Sequence, residues 1–249
     1  MKQLPISDLL RLAQMTTPTV YNGWSQITRA DIAREGFNRE PTQDWTPQLG
    51  PMVGYAVTVV IEPSNARHRS DNPDALRAYR DYVASFPGPK IVVVQDLDGE
   101  KTVGSMWGEV NATLHRAIGC VGTIVDGAVR DIDEMGRAGF KAVSRRLCVG
   151  NAHVHPVRWN CDVEVFGTTI RPGQLVHADK HGFLAVPAED EERLLEAAQF
   201  MDRSEFETVI AAAWNRPGIA PGQIVADAAA AAKEFRRRSQ ATFSREGEW

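Results

Sequence analysis

Residues 91–127 read IVVVQDLDGEKTVGSMWGEVNATLHRAIGCVGTIVDG, and the pattern of this stretch switches twice along its length. Ile91 to Val94 is a continuous apolar run, the mark of a strand buried on both faces. After Gly104, Glu109 to Ile118 carries helical spacing. Thr123-Ile124-Val125 is a second short strand, and Asp126-Gly127 after it reads as a turn. Strand and helix alternating at this pitch predict an α/β domain.

The alternation continues in both directions. Upstream, Val53 to Ile61 is rich in Val and Thr and predicts a strand; Asp74 to Phe86 predicts a helix after Asn72-Pro73. Downstream, Ile132 to Arg137 predicts a short helix closed by Gly139, and Phe140 to Val143 a further strand. From Asp162 the style changes. Val163 to Phe166, Leu175 to His177 and Phe183 to Val186 are short strands, and Gly167, Pro172-Gly173 and His181-Gly182 supply turns, which predicts a β-meander. Beyond Pro187 the chain turns helical: Glu189 to Glu192 load a first turn with acid, and the alanine-rich Ala226 to Phe235 follows a break at Pro217–Pro221. At the other end, Ser7-Asp8 caps a short helix over Leu9, Leu10 and Leu12, which Thr16-Thr17-Pro18 stops. Residues 23–50 are polar and irregular, long enough for a lid, an oligomer contact or plain structural filler. The expected organisation is one α/β domain over 1–187, with its core at 52–187, followed by a helical C-terminal extension over 188–249.

Composition bounds the function classes. The 249 residues are 43% hydrophobic and 24% charged, which suits an ordinary globular chain and excludes wholesale disorder or a fibrous repeat. Lys plus Arg number 28 against 32 Asp plus Glu, a net charge of −4 that offers no footprint for a nucleic-acid backbone. The cluster Arg236-Arg237-Arg238 reads as a solvated helix face. No run approaches the ~20 apolar residues that cross a bilayer, and the amino terminus lacks a signal-peptide core. Three cysteines, Cys120, Cys148 and Cys161, form no CxxC pair, so neither a disulfide framework nor a cysteine zinc site is expected. A cytoplasmic location follows most simply.

Two segments carry chemistry. In Gly108-Glu109-Val110-Asn111-Ala112-Thr113 a glycine precedes a helix start, where the N–H groups of Val110 and Asn111 can hold a carboxylate. In Val125-Asp126-Gly127-Ala128-Val129-Arg130-Asp131 an arginine able to clamp a carboxylate adjoins an aspartate able to bind a hard cation. Strand-end turns of open α/β sheets are where ligands bind. The residues by themselves support an anion and metal site and no more.

These motifs, with Gly119 and Gly122 between them, resemble the core signature of the RraA-like family. That family holds the class II 4-hydroxy-4-methyl-2-oxoglutarate / 4-carboxy-4-hydroxy-2-oxoadipate aldolases and the regulator of RNase E activity. Asp71-Asn72, the strand Ile91 to Asp96, Arg171-Pro172-Gly173 and Ala178-Asp179-x-x-Gly182-x-x-x-Val186-Pro187 extend the similarity across roughly residues 52–187. The resemblance implies an α/β sandwich with a swivelling-domain-like β core, assembled as a homotrimer or homohexamer with the site in a cleft between subunits. It implies that Arg130 binds the pyruvyl carboxylate and enolate oxygen, and that Asp131 ligates Mg²⁺ or Mn²⁺, partly through waters. Glu109 would orient a metal-bound water, and Gly108 with the amides of Val110 and Asn111 would hold the substrate carboxylate. The implied activity is metal-dependent retro-aldol cleavage of a 4-hydroxy-2-oxo dicarboxylic acid to pyruvate, with oxaloacetate decarboxylation open to the same enolate. Two alternatives stand beside it: a non-catalytic protein-binding regulator, and another 2-oxo-acid enolate enzyme, decarboxylase or isomerase, on the same scaffold.

This chain departs from the family pattern at Asn22, where an acid is usual, at Gln174 after Pro172-Gly173, and in Met106-Trp107 ahead of the glycine. These differences leave the metal–enolate core intact and the substituent on C4 open. Other residues have blander readings. His177, Asp179 and His181 fall in a predicted hairpin, and His153-x-His155 lacks a third ligand nearby in sequence. Lys101, Lys141 and Lys180 raise Schiff-base chemistry, which needs a desolvated lysine; Lys101 and Lys180 sit in polar turns. Cys120 reads as a core residue, and Trp159 and Trp214 as packing or interface residues.

Overall fold

The computed structural model describes residues 3–214 and 217–243, so the last residues of the expected helical extension, 244–249, lie outside it. In chain order the elements are α1 (Ile6–Leu12), α2 (Thr17–Ile27), β1 (Gln43–Asp44), β2 (Met52–Ile61), α3 (His68–Asp71), α4 (Ala75–Ser85) and β3 (Lys90–Asp96). Then come α5 (Glu109–Ala117), β4 (Cys120–Val129), α6 (Ile132–Arg137), β5 (Lys141–Leu147), β6 (Pro156–Trp159), β7 (Val163–Val165) and β8 (Thr168–Ile170). The chain closes with β9 (Leu175–Asp179), β10 (Gly182–Val186), α7 (Glu191–Glu205), a π-helical turn Phe206–Ile210, α8 (Ala211–Ala213) and α9 (Pro221–Phe243).

Two compact units result: 1–17 with 33–188, and 18–32 with 189–249. The first is α/β, as the alternation predicts. Its main sheet runs β1-β5-β4-β3-β2-β9-β10, with β6 pairing the far end of β2. Strands β2, β3, β4 and β5 are mutually parallel, joined through α4, α5 and α6. The crossover helices cover one face of this sheet and residues of β7, β8 and β10 the other, which is why β2 is buried along its whole length. Period-two alternation sorts each strand's side chains between two cores. Val57, Val59, Ile61, Val92 and Val94 pack with Tyr79, Val83, Trp107 and Ala112 on the helical face. Ala56, Val60, Ile91, Val93 and Ile124 pack with Val163, Phe166, Phe183 and Ala185 on the other.

Three local readings change. Asp126-Gly127 is not a turn: β4 runs on to Val129, with a register shift against β5 between Val125 and Ala128. The bulge absorbs the extra residue that a turn would have used, and the chain turns only at Arg130-Asp131. The meander is also broken. Strands β7 and β8 form their own ribbon, while β9 leaves to pair antiparallel with β2 as well as β10. Strand β6 has too little alternation to be seen in sequence. Third, α1 already ends at Leu12, and Thr17-Pro18, expected to stop it, opens a second helix instead; α2 covers the start of the stretch expected to be irregular. A proline at a first helical turn loses no hydrogen bond, since its missing N–H would be unpaired there anyway.

The second unit is helical and also takes in residues 18–32. Met201, Ala197, Phe235 and Phe243 make its core with Ile27, Phe200 and Val209. Gly23 is required there: a Cβ would lie 2.3 Å from the Ala198 backbone nitrogen. The Trp24 indole N–H donates to Asp190 Oδ2 at 3.0 Å, and Ser239 Oγ donates to Gln26 Oε1 at 2.8 Å. Arg237 and Arg238 pair with Glu234 on α9, in keeping with a solvated face. No helix among the described residues is long and apolar enough to cross a membrane.

Candidate functional site

A cleft of about 440 Å³ in the α/β unit opens beyond the carboxyl end of β4. Gly108, Glu109, Val110, Asn111, Arg130 and Asp131 all line it. The structure therefore brings together every residue that the two motifs nominate. Sequence separation is closed by two local devices, both at helix starts.

The first is the backbone of Asp131. It adopts φ 55° and ψ 44°, the left-handed region, which Asp tolerates better than most residues. Its carbonyl begins α6 by accepting from Met135 N at 2.9 Å, while its side chain turns back toward α5. There Oδ2 accepts the Glu109 N–H at 3.2 Å and lies 3.7 Å from Arg130 Nε. The second device is Gly108. Its backbone is extended, so conformation does not demand glycine, but space does. A Cβ there would stand 2.6 Å from Asp131 Oδ2 and 3.1 Å from Arg130 Nε.

The start of α5 is an anion site in waiting. Ala112 N makes the first intrahelical bond, to Gly108 O at 2.9 Å, and Asp131 takes the Glu109 N–H. The N–H groups of Val110 and Asn111 have no acceptor within the helix. The Asn111 side chain is committed elsewhere: Nδ2 donates to Met106 O at 2.7 Å, and Oδ1 accepts from Arg80 Nη2 at 2.9 Å. Among the described residues Arg130 makes one hydrogen bond, from Nη1 to Val149 O at 3.3 Å, and its buried Nε, 3.7 Å from Asp131 Oδ2, has no hydrogen-bond partner. Such an under-bonded guanidinium is stabilised by a bidentate anion.

The fit to a divalent cation rests on donor chemistry. Asp131 is a half-exposed hard oxygen donor with Oδ1 outside the hydrogen bonds described above. Among the described residues no three His, Cys, Asp or Glu side chains converge on one point. One carboxylate with water and substrate oxygens completing the sphere suits Mg²⁺ or Mn²⁺, which keep several waters, and not a closed zinc site.

The other candidates separate from the cleft or serve the fold. His177 is buried, 2.9 Å from Thr17 Oγ1 and 3.1 Å from the Leu12 carbonyl, and burial pushes its pKa down. Asp179 accepts from Thr17 N and His181 N, closing the β9–β10 turn. His155 does line the cleft, where its Nε2 lies 2.8 Å from the Asn72 carbonyl. Lys141 is buried but paired with Asp44 at 2.5 Å, while Lys101 and Lys180 are exposed. Burial pushes the Cys120 thiol up to about 12, as befits a core residue. Sequence reasoning missed Arg80 and Arg69, which line the same cleft from α4 and α3. An arginine in a helix carries no local signal of a site; only the packing of α4 beside α5 reveals it.

The RraA-like family model, described as Aldolase/RraA, matches residues 17–185. A Halalkalibacterium halodurans protein named "Putative 4-hydroxy-4-methyl-2-oxoglutarate aldolase" is 31% identical over 156 residues, covering 59% of this chain and 65% of that protein. Protein DlpA of Legionella pneumophila is 25% identical over 138 residues, covering 55% of this chain and 21% of DlpA. The chain thus spans less than two thirds of the length of either curated relative. Among solved structures, Streptomyces coelicolor RraAS2, an unusual member of the RNase ES inhibitor RraA protein family, aligns with a TM-score of 0.63 at 19% identity, over 83% of this chain and 96% of that one. An uncharacterized Pseudomonas syringae protein aligns at 0.69 and 20% identity, over 90% and 95%. At these identities the structural likeness speaks to the fold.

Proposed function

The chain belongs to the RraA-like family, and from that premise we propose that it is a divalent-metal-dependent lyase that cleaves a 4-hydroxy-2-oxo dicarboxylic acid to pyruvate. One observation carries the reading. The left-handed Asp131 turns its carboxylate onto the start of α5, 3.2 Å from Glu109 N and 3.7 Å from the under-bonded Arg130, in the same cleft that Val110 and Asn111 line. The H. halodurans relative's name supports the same chemistry. Asp131 would hold Mg²⁺ or Mn²⁺, and the cation would supply Lewis-acid stabilisation of negative charge on the substrate's 2-oxo and carboxylate oxygens.

The chain's own residues do the rest. The N–H groups of Val110 and Asn111 bind the pyruvyl carboxylate, and Gly108 keeps that approach clear of side-chain atoms. Arg130 donates to the carboxylate and to the oxygen that becomes the enolate, a fixed charge placed where charge develops. A water held by the Glu109 carboxylate accepts the proton of the 4-hydroxyl as the C3–C4 bond breaks. The C4 fragment leaves as a carbonyl compound, and the electron pair stays on the pyruvyl half as its enolate. The same water returns the proton to C3, giving pyruvate. Loss of CO₂ from oxaloacetate yields the same enolate and uses the same groups. Assembly as a trimer or hexamer, in the cytoplasm, belongs to this proposal.

Exchange of the pyruvate methyl protons in D₂O, followed by NMR, tests the enolate step without knowledge of the C4 substituent. The expected result is exchange with Mg²⁺ or Mn²⁺ that EDTA stops. No exchange under any condition contradicts the lyase reading and favours a partner-binding role.

A further inference from the structure

We infer that Arg80, supported by Arg69, is a second anion anchor of the cleft and reads the carboxylate on the non-pyruvyl half of the substrate. The inference rests on the lyase reading and names the groups that restrict the cleft to dicarboxylates.

Arg80 is half-buried on α4, and the only hydrogen bond it makes is from Nη2 to Asn111 Oδ1, at 2.9 Å, among the described residues. Its Nε is closed off from solvent with no partner. Neighbouring Arg77 has a carboxylate, Asp81 at 3.9 Å; Arg80 and Arg69 have none within ion-pair distance among the described residues. A guanidinium carries five donors, and a neutral amide answers one of them here. Removing a cation from water without a counter-charge is unfavourable, and an incoming carboxylate relieves it.

The orientation of Arg80 is fixed in advance. The Asn111 amide cannot flip, because Nδ2 is held by the Met106 carbonyl at 2.7 Å, so Oδ1 always faces the guanidinium. Asn111 thereby joins two anchors. Its backbone N–H serves the pyruvyl carboxylate at the start of α5, and its side chain holds the arginine that awaits the other. Leu76, one turn before Arg80, and Val154 line the same cleft and offer an apolar surface to the carbon chain. Arg69, Arg80 and Arg130 outnumber the acids Glu109 and Asp131 in the lining, and a divalent cation on Asp131 widens that excess. A doubly charged substrate matches this wall and a monoacid leaves Arg80 unanswered.

Calorimetry on the Mg²⁺-loaded protein, with pyruvate and 2-oxoglutarate as probes, tests the assignment. Wild type should bind 2-oxoglutarate at least about tenfold more tightly than pyruvate. Arg80→Gln should erase that preference while leaving the pyruvate Kd within about twofold, and Arg80→Lys should retain part of it. Arg80→Lys also serves if the glutamine variant does not fold. A preference unchanged in Arg80→Gln, an equal weakening of both acids, or no preference in wild type overturns the role of Arg80 and leaves the lyase reading standing. Failure of both acids to bind wild type overturns both.

Discussion

At the scale of single residues, the site depends on two backbone conditions that the chemistry-bearing side chains cannot supply themselves. Gly108 must lack a Cβ, and Asp131 must hold a left-handed conformation. Gly108→Ala should push Asp131 and Arg130 apart and lower kcat/KM by about 10²-fold, the scale of an ångström's misplacement, with little change in melting temperature. Full activity in that variant, measured by steady-state kinetics, contradicts the packing described. Asp131→Asn keeps a residue that tolerates the left-handed region but removes the charge. Calorimetric Mn²⁺ titration should therefore show at least about tenfold weaker binding at unchanged stability. Unaltered binding would remove Asp131 as the metal ligand. By themselves the two motifs pointed only to an anion and metal site, because a glycine before a helix and an adjacent Arg-Asp pair also have ordinary structural uses; their resemblance to the RraA-like signature is what assigned the individual roles. Arg80 was not legible, since nothing in the Asp74–Phe86 stretch distinguishes a cleft-lining arginine from a solvated one.

At the scale of elements, the parallel strands β2 and β3 were readable because burial on both faces favours continuous apolar runs, while β4 and β5 showed only as the short segments Thr123–Val125 and Phe140–Val143. What failed was local chemistry overridden by pairing. Asp126-Gly127 has turn composition, yet β3 pairs Asp126 and β5 resumes its pairing at Ala128, so both residues stay within a bulged strand, and Asp126 is paired with Arg145 and accepts from Phe166 N at 2.8 Å. Beside it, at the end of β3, burial raises the pKa of Asp96 from 3.8 to about 6, against hydrogen bonds from Thr102 Oγ1 and Asp98 N that lower it. The folded state thus keeps a proton that the unfolded chain releases between these values. The Asp96 contribution to stability is full below about pH 4 and is lost as pH rises through about 6. Asp96→Asn, isosteric and uncharged, should gain in melting temperature relative to wild type as pH rises from 4 to 7. A difference that stays constant across that range contradicts a buried, protonated Asp96.

At the scale of the whole chain, the α/β character was fixed by alternation, while the membership of the helical unit was not. Residues 18–32 group with 189–249 through contacts such as Trp24–Asp190, which join positions far apart in sequence and leave no periodic trace. The cleft is open on one side in a single chain, with Glu109 and Val110 exposed at its rim. Light scattering after size exclusion should show a trimer or hexamer. A clean monomer contradicts a cleft shared between subunits.

The most direct measurement is pyruvate release, coupled to lactate dehydrogenase, from 4-hydroxy-4-methyl-2-oxoglutarate and from oxaloacetate, with Mg²⁺, with Mn²⁺ and with EDTA, for wild type and Arg130→Ala side by side. The expected result is metal-dependent release by wild type and a kcat/KM lower by about 10³-fold in the variant, the scale of a lost oxyanion donor, with the fold intact. Release that persists in EDTA, or that survives undiminished in Arg130→Ala, would contradict an enolate held by Arg130 beside a metal on Asp131.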